Sequence, residues 1–344
     1  MLNTPFSPWP SFTQAEADAV SQVLLSNKVN YWTGTECREF EKEFAIWANS
    51  DYAIAMGNGT LALDVALQAL GLGEGDEVIV TPRTFIASIS SVINAGATPV
   101  FAEVNEATGN ISPETIKAVL TDKTKAVICV HLAGWPCDMD GIMALADAHD
   151  LYVIEDCAQA HGATYKGRSV GSIGHIGAWS FCQDKIMTTG GEGGMVTTND
   201  ENLWRKMWAY KDHGKSYAAV YETEHPPGYR WLHESFGTNW RMTEMQAVLG
   251  RIQLTRMPDW TAKRTANAQA ILDACAKWEA KGYLSVPRLE QTPEFADCTH
   301  AYYKLYVYVQ PENLPAGWSR DRIIAEINAL KVPCFSGSAS EVYL

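Results

Sequence analysis

Basic residues are scarce in this 344-residue chain, where 27 Lys and Arg face 40 Asp and Glu for a net charge of −13. A phosphate backbone selects for clustered cations, and no long basic run occurs. Nucleic acid is therefore excluded as a partner, and an anionic membrane surface on the same ground. No stretch of about eighteen apolar residues is present, which excludes a membrane-spanning helix. Met1-Leu2-Asn3-Thr4-Pro5 lacks the basic and then apolar pattern of a secretory leader. The cysteines at 37, 129, 137, 157, 182, 275, 298 and 334 include no C-x-x-C pair and no zinc-finger spacing. In a chain this long the expectation is reduced thiols in a cytoplasmic protein, with no metal site. Internal repeats and low-complexity tracts are absent too.

What remains is apolar: 47% of the residues are hydrophobic, enough to bury a large core in about two domains, which excludes disorder. An acidic total does not forbid a small anionic ligand, because a few backbone N–H groups at a helix start can hold one phosphate.

From about residue 50 to 200, short β-rich runs alternate with segments of helical period. The runs are Glu77 to Thr81, Thr98 to Ala102, Lys125 to Val130 and Leu151 to Glu155. Continuous apolar strands separated by helices indicate an α/β domain with a parallel sheet covered on both faces. Leu63, Leu67 and Leu70 mark one helix by spacing, and Ser112-Pro113-Glu114 marks the start of another. Trp- and Tyr-rich sequence follows from about 195 to 245, where Pro226-Pro227-Gly228 predicts a long loop over the active face. Beyond Pro258 the pattern predicts a helix over 262–280, a strand over 302–309 and a helix over 319–330. Together these read as a smaller second domain, and we place the division at 1–255 and 256–344.

In an open parallel sheet, ligands collect at the carboxyl ends of the strands. Asp156 follows one strand run and Gln159 lies just beyond. Met56-Gly57-Asn58-Gly59-Thr60 precedes a helix and could cradle an anion, although taken alone it reads better as a plain turn with a Thr cap. The most specific segment runs from Trp179-Ser180-Phe181 through Lys185 to Gly190-Gly191-Glu192-Gly193-Gly194. A lone lysine beside a glycine-rich turn, with an acid earlier in the chain, matches what Schiff-base chemistry with pyridoxal phosphate needs: an amine, a counter-charge and a phosphate cradle.

The ordered motifs Asn58-Gly59-Thr60, Thr84-Phe85, Glu155-Asp156-Cys157-Ala158-Gln159-Ala160-His161-Gly162, Ser180-Phe181 with Lys185 and Gly191-Glu192-Gly193-Gly194, and Thr238-Asn239-Trp240-Arg241-Met242-Thr243-Glu244 closely resemble the DegT/DnrJ/EryC1/StrS sugar aminotransferases. The resemblance covers nearly the whole chain. It implies a fold-type-I architecture: a large domain with a mixed, mostly parallel sheet, and a smaller C-terminal α+β domain. It also implies a homodimer with active sites at the subunit interface.

Carried onto matching positions, it makes Lys185 the Schiff-base lysine and proton carrier, and Asp156 the partner of the pyridinium nitrogen. Gln159 would bond the ring's 3-oxygen and Phe85 would stack on its face. Gly59, Thr60 and Ser180 would hold the phosphate, with Asn239 reaching in from the neighbouring subunit. The implied reaction transfers an amino group from an amino-acid donor, L-glutamate, to a nucleotide-linked 4-keto-6-deoxyhexose. Related dehydratases carry His at the lysine position, so Lys185 favours transamination.

Two rival readings are another fold-type-I reaction, such as amino-acid transamination or sulfur transfer from cysteine, and a non-catalytic regulator that keeps the fold. His161, His213 and Arg241 are candidate contacts for donor carboxylate or sugar diphosphate. Trp204, Trp208, Tyr210, Tyr217, Tyr221 and Trp231 are candidates for a substrate cleft or for packing. The chain stops after Cys334 to Leu344, where family members continue, so a shortened small domain is expected.

Overall fold

The computed structural model describes residue 6 and residues 8–337. The expectations for the first five residues and for the last seven of the chain fall outside that range. A seven-stranded sheet forms the centre, built from β1 (Tyr52–Met56), β2 (Glu77–Val80), β3 (Thr98–Phe101), β4 (Thr124–Val130), β5 (Tyr152–Asp156), β8 (Ile176–Ser180) and β9 (Gly194–Thr198). Two short strands, β6 (Thr164–Tyr165) and β7 (Arg168–Ser169), make a separate hairpin. The strand order is β1-β9-β8-β5-β4-β2-β3, and only β9 runs against its neighbours. The sheet is thus mixed and mostly parallel, as expected.

Alternate residues along each strand face opposite layers. Ile54, Met56, Val78, Val80, Ile128 and Ile154 pack under α3 (Gly59–Leu70), α4 (Ala87–Asn94) and α7 (Glu201–Tyr210). On the other side, Ala53, Ala55, Trp179 and Met195 pack with Phe40 and Phe44 of α2 (Glu36–Ala48), while Ile79, Val127 and Val153 meet Met139 and Ile142 of α6 (Met139–His149). Burial on both faces explains why these strands read as unbroken apolar runs.

The helix signals also hold. Ser112 caps α5 (Pro113–Lys117), and Leu63 and Leu67 lie on the buried face of α3. The Trp- and Tyr-rich region is more ordered than a loop: it holds β9, α7 and α8 (Tyr217–Tyr221) before turning irregular.

Beyond it, two elements differ from expectation. A single helix, α9 (Glu244–Glu279), contains Pro258 instead of starting after it. Pro258 is exposed while Leu254 and Met257 on the same stretch are buried, so packing of that face outweighs the one backbone bond a proline removes. The helix also runs unbroken through positions 255 and 256. In the 302–309 run only Tyr308–Val309 pairs as a strand, with Leu284–Ser285. Earlier residues bond to the turn after β4 instead, Ala301 N–H to Gly134 O at 2.9 Å and Lys304 N–H to Ala133 O at 3.3 Å. The last helix, Arg320–Ala329 with Ser319 as its cap, matches its predicted span. Among the described residues, no helix is long and apolar enough to cross a membrane, and all eight cysteines are free thiols.

Candidate active site

Because β1, β2, β4, β5 and β8 run parallel, their carboxyl ends share one rim, and the residues singled out in the sequence gather there. Asp156 ends β5, is 7% exposed, and accepts hydrogen bonds from Ser88 Oγ at 2.8 Å and Ala158 N–H at 3.1 Å. Burial pushes its carboxyl above the ordinary value. Ser88, Ala158 N–H, Lys185 and His131 oppose that shift. Ser88 in turn shares a 2.9 Å hydroxyl contact with Thr84, so the start of α4 holds the carboxylate in place. Phe85, on the same turn, is 55% exposed, its ring uncovered by this chain.

Gln159 is buried, and its Oε1 accepts Ala133 N–H at 2.8 Å, which fixes the amide and leaves the N–H₂ end as the donor. Gly59 opens α3 directly against Ser180 at the end of β8. A Cβ at position 59 would lie 2.5 Å from Ser180 Cβ. Asn58, not Thr60, is the cap: its side chain accepts Leu61 N–H at 3.0 Å. That leaves the N–H groups of Gly59 and Thr60 as the free first donors of a twelve-residue helix. A glycine that packs against a serine hydroxyl beside two such donors suits a phosphate group.

Lys185 lies in a turn closed by its own N–H to Cys182 O at 3.0 Å, and its side chain is 16% exposed. Its amine lies 3.2 Å from Asp184 Oδ2 and 3.5 Å from Tyr303 Oη, and is near enough to Asp156 to draw that carboxyl's pKa downward. Trp9 donates its indole N–H to the Lys185 carbonyl at 2.9 Å and packs edge-on against Trp260 of α9. Lysine, acid, glutamine, phenylalanine and anion cradle are therefore brought to one place. Asn239 is exposed on a stretch paired with Asp212.

The remaining candidates take other positions. His161 is buried between Trp179 and Phe181, and burial, with the nearby cations of Lys185 and Arg264, pulls its pKa down to about 3. Arg241 pairs with buried Asp212 at 2.5 Å, and His213 is exposed with a left-handed backbone of φ 59°. Trp204, Trp208, Tyr217 and Tyr221 stack on one another as packing, while Trp231 is exposed.

Glu155, His131 and Cys157 cluster within metal-binding reach of one another. Yet both Glu155 oxygens are already filled by the N–H groups of Gly171, Ile173 and Gly174 and by His131 Nε2. His131 Nδ1 accepts Cys137 N–H at 3.0 Å. This closed network fastens the loops below Asp156. Ser88, Asp184, Tyr303 and Trp9 carried no role in the sequence reading. Ser88 stands one helical turn after Thr84 and could have been found by that spacing; the other three meet the site through packing.

The DegT/DnrJ/EryC1/StrS aminotransferase family model matches residues 10–335. A crystal structure of an aminotransferase from Psychrobacter cryohalolentis is 88% identical and superposes with a TM-score of 0.97, over 98% of this chain and 86% of that one. DesV from S. venezuelae, solved with a ketimine intermediate, is 33% identical with a TM-score of 0.80, over 93% of this chain and 78% of that one. GDP-perosamine synthase from Escherichia coli O157:H7 is 42% identical over 259 residues, 74% of this chain and 67% of the synthase. The chain belongs to the DegT/DnrJ/EryC1/StrS aminotransferase family, with a fold-type-I architecture.

Proposed function

From membership of that family we propose that the chain is a pyridoxal 5′-phosphate-dependent transaminase acting on a nucleotide-linked 4-keto-6-deoxyhexose, with L-glutamate as amino donor. We assign it to the cytoplasm. The observation that carries this reading is the meeting of a reachable lysine, a buried carboxylate and an anion cradle at one rim. Bound there, the cofactor would supply an electron sink for the carbanion left when a C–H proton departs.

The chain does the rest. Asp156, buried and held by Ser88, keeps a ring nitrogen protonated by pairing with it. Gln159, fixed through Ala133, donates to the 3-oxygen, and the exposed Phe85 ring offers an apolar platform. Gly59 and Thr60 N–H groups, with the Ser180 hydroxyl, hold the phosphate. Lys185 takes the proton from one carbon and returns it to another. Asn239, exposed on its own chain, completes the neighbouring subunit's phosphate site in a homodimer. On this reading residues 1–255 form the cofactor-binding part and 256–344 the small domain.

The test is the absorption spectrum of purified protein before and after L-glutamate. A band near about 410–430 nm that moves towards about 330 nm is expected of a bound cofactor taking up an amino group. A colourless protein that takes up no pyridoxal phosphate would overturn the proposal.

A further inference from the structure

The Lys185 amine has two polar neighbours whose arrangement goes beyond holding a cofactor. Tyr303 Oη donates to Asp184 Oδ2 at 2.5 Å, and the same carboxylate oxygen lies 3.2 Å from Lys185 Nζ. The Tyr303 hydroxyl is 3.5 Å from Nζ, and its ring centroid 5.2 Å. Tyr303 belongs to the stretch that bonds to the turn after β4 through Ala301 and Lys304, so it is held independently of the Lys185 loop.

On the proposed reading Lys185 must take a proton from one carbon and return it to another. We propose that Asp184 and Tyr303 are positioning residues that hold the proton-bearing amine of Lys185 between the two transfers. The amine accepts a proton from the substrate carbon and becomes an ammonium. Asp184 Oδ2 accepts a hydrogen bond from that ammonium, and Tyr303, by donating to the same oxygen, keeps the carboxylate from turning to solvent. The ammonium then gives its proton to the second carbon and is neutral again, so charge and protons balance.

Other groups around Nζ fit this arrangement. Asp156 and His161 lie on the sheet side, and Lys304 and Arg264 are cations within electrostatic reach of the cluster. Cys182 neighbours Asp184 and lies 3.9 Å from Glu192. Burial alone would raise the Asp184 carboxyl, but the Tyr303 hydroxyl and Lys185 outweigh it and hold it below the ordinary carboxylate range. Asp184 is thus charged when the amine needs it.

The inference rests on Lys185 as proton carrier, but its test does not need the cofactor. In cofactor-free protein, the rate at which acetic anhydride modifies Lys185 at one fixed pH, followed by mass spectrometry of its peptide, reports how firmly the amine is held. Because Asp184 is partly exposed, the expected change is modest. Asp184→Asn should raise the rate severalfold, Tyr303→Phe should raise it less, and Asp184→Glu should restore part of the parent rate. In the loaded enzyme, Tyr303→Phe should reduce kcat with KM for both substrates unchanged. Modification rates in Asp184→Asn and Tyr303→Phe that coincide with the parent would overturn the proposal, even if the spectrum confirms the cofactor. A raised rate in a protein that binds no pyridoxal phosphate would instead sink the role of the site and leave the contact standing.

Discussion

Lys185 and Lys211 are both withdrawn from solvent, yet only one can reach a ligand. Lys211 is fully buried, its amine 3.7 Å from the Tyr31 ring centroid and 5.3 Å from that of Trp208, with no hydrogen-bond partner among the described residues. Burial pulls its pKa down, and the charges of Glu41 and Asp212 oppose that. Lys185 keeps a 16% opening and a hydrogen-bonding carboxylate. An enclosed amine answers to its neighbours and so contributes to stability. An amine with one open side can bond something that arrives from outside.

The sharpest way to break this contrast is to remove each amine in turn. Lys185→Ala should cut kcat by at least about 10⁴-fold, while the urea midpoint stays near that of the parent. Lys211→Ala should do the reverse. It empties a packed site and leaves Glu41 without its cation, at a cost of about 3 kcal/mol in urea unfolding, while kcat of the folded fraction is kept. Activity lost in the second variant with stability intact would erase the distinction.

Enclosed histidines extend the comparison to pH. Burial lowers the pKa of His161 and of His300 from 6.5 to about 3. Between those values the unfolded chain binds the protons that the folded chain refuses, so stability is full above about 6.5 and falls as acid is added. Each group can remove about 1.4 kcal/mol per pH unit across that window, and urea titrations at pH 6.5 and 5 should show it. His161→Leu should flatten the slope by about half. The smallest effect belongs to Trp9→Phe, which loses the bond to the Lys185 carbonyl and part of the ring packed on Trp260. It should cost about 1 kcal/mol in urea unfolding.

Much of the fold was legible because strands buried on both faces read as unbroken apolar runs, as Val78 to Val80 and Val153 to Ile154 do. The candidate site was legible where local pattern and geometry coincide. Gly59 must be small because Ser180 lies against it, and the glycine-rich turn makes the Lys185 segment stand out. What stayed hidden depends on meetings between distant parts of the chain. Trp9 and Tyr303 reach Lys185 across 176 and 118 positions, and nothing local marks either one. Pro258 misled because a buried helical face overrode its local cost. The Tyr-rich 302–309 run misled because only its end, Tyr308–Val309, pairs as a strand, while Lys304 before it bonds to the turn after β4.

The central claim is that Lys185, and not an enclosed lysine such as Lys211, bonds the cofactor above Asp156. Reducing the cofactor-loaded protein with sodium borohydride and mapping the tagged peptide tests it most directly. The account predicts the tag on Lys185 and none once L-glutamate has converted the enzyme to its amine form; a tag on Lys211 or any other lysine of the unreacted enzyme would contradict it.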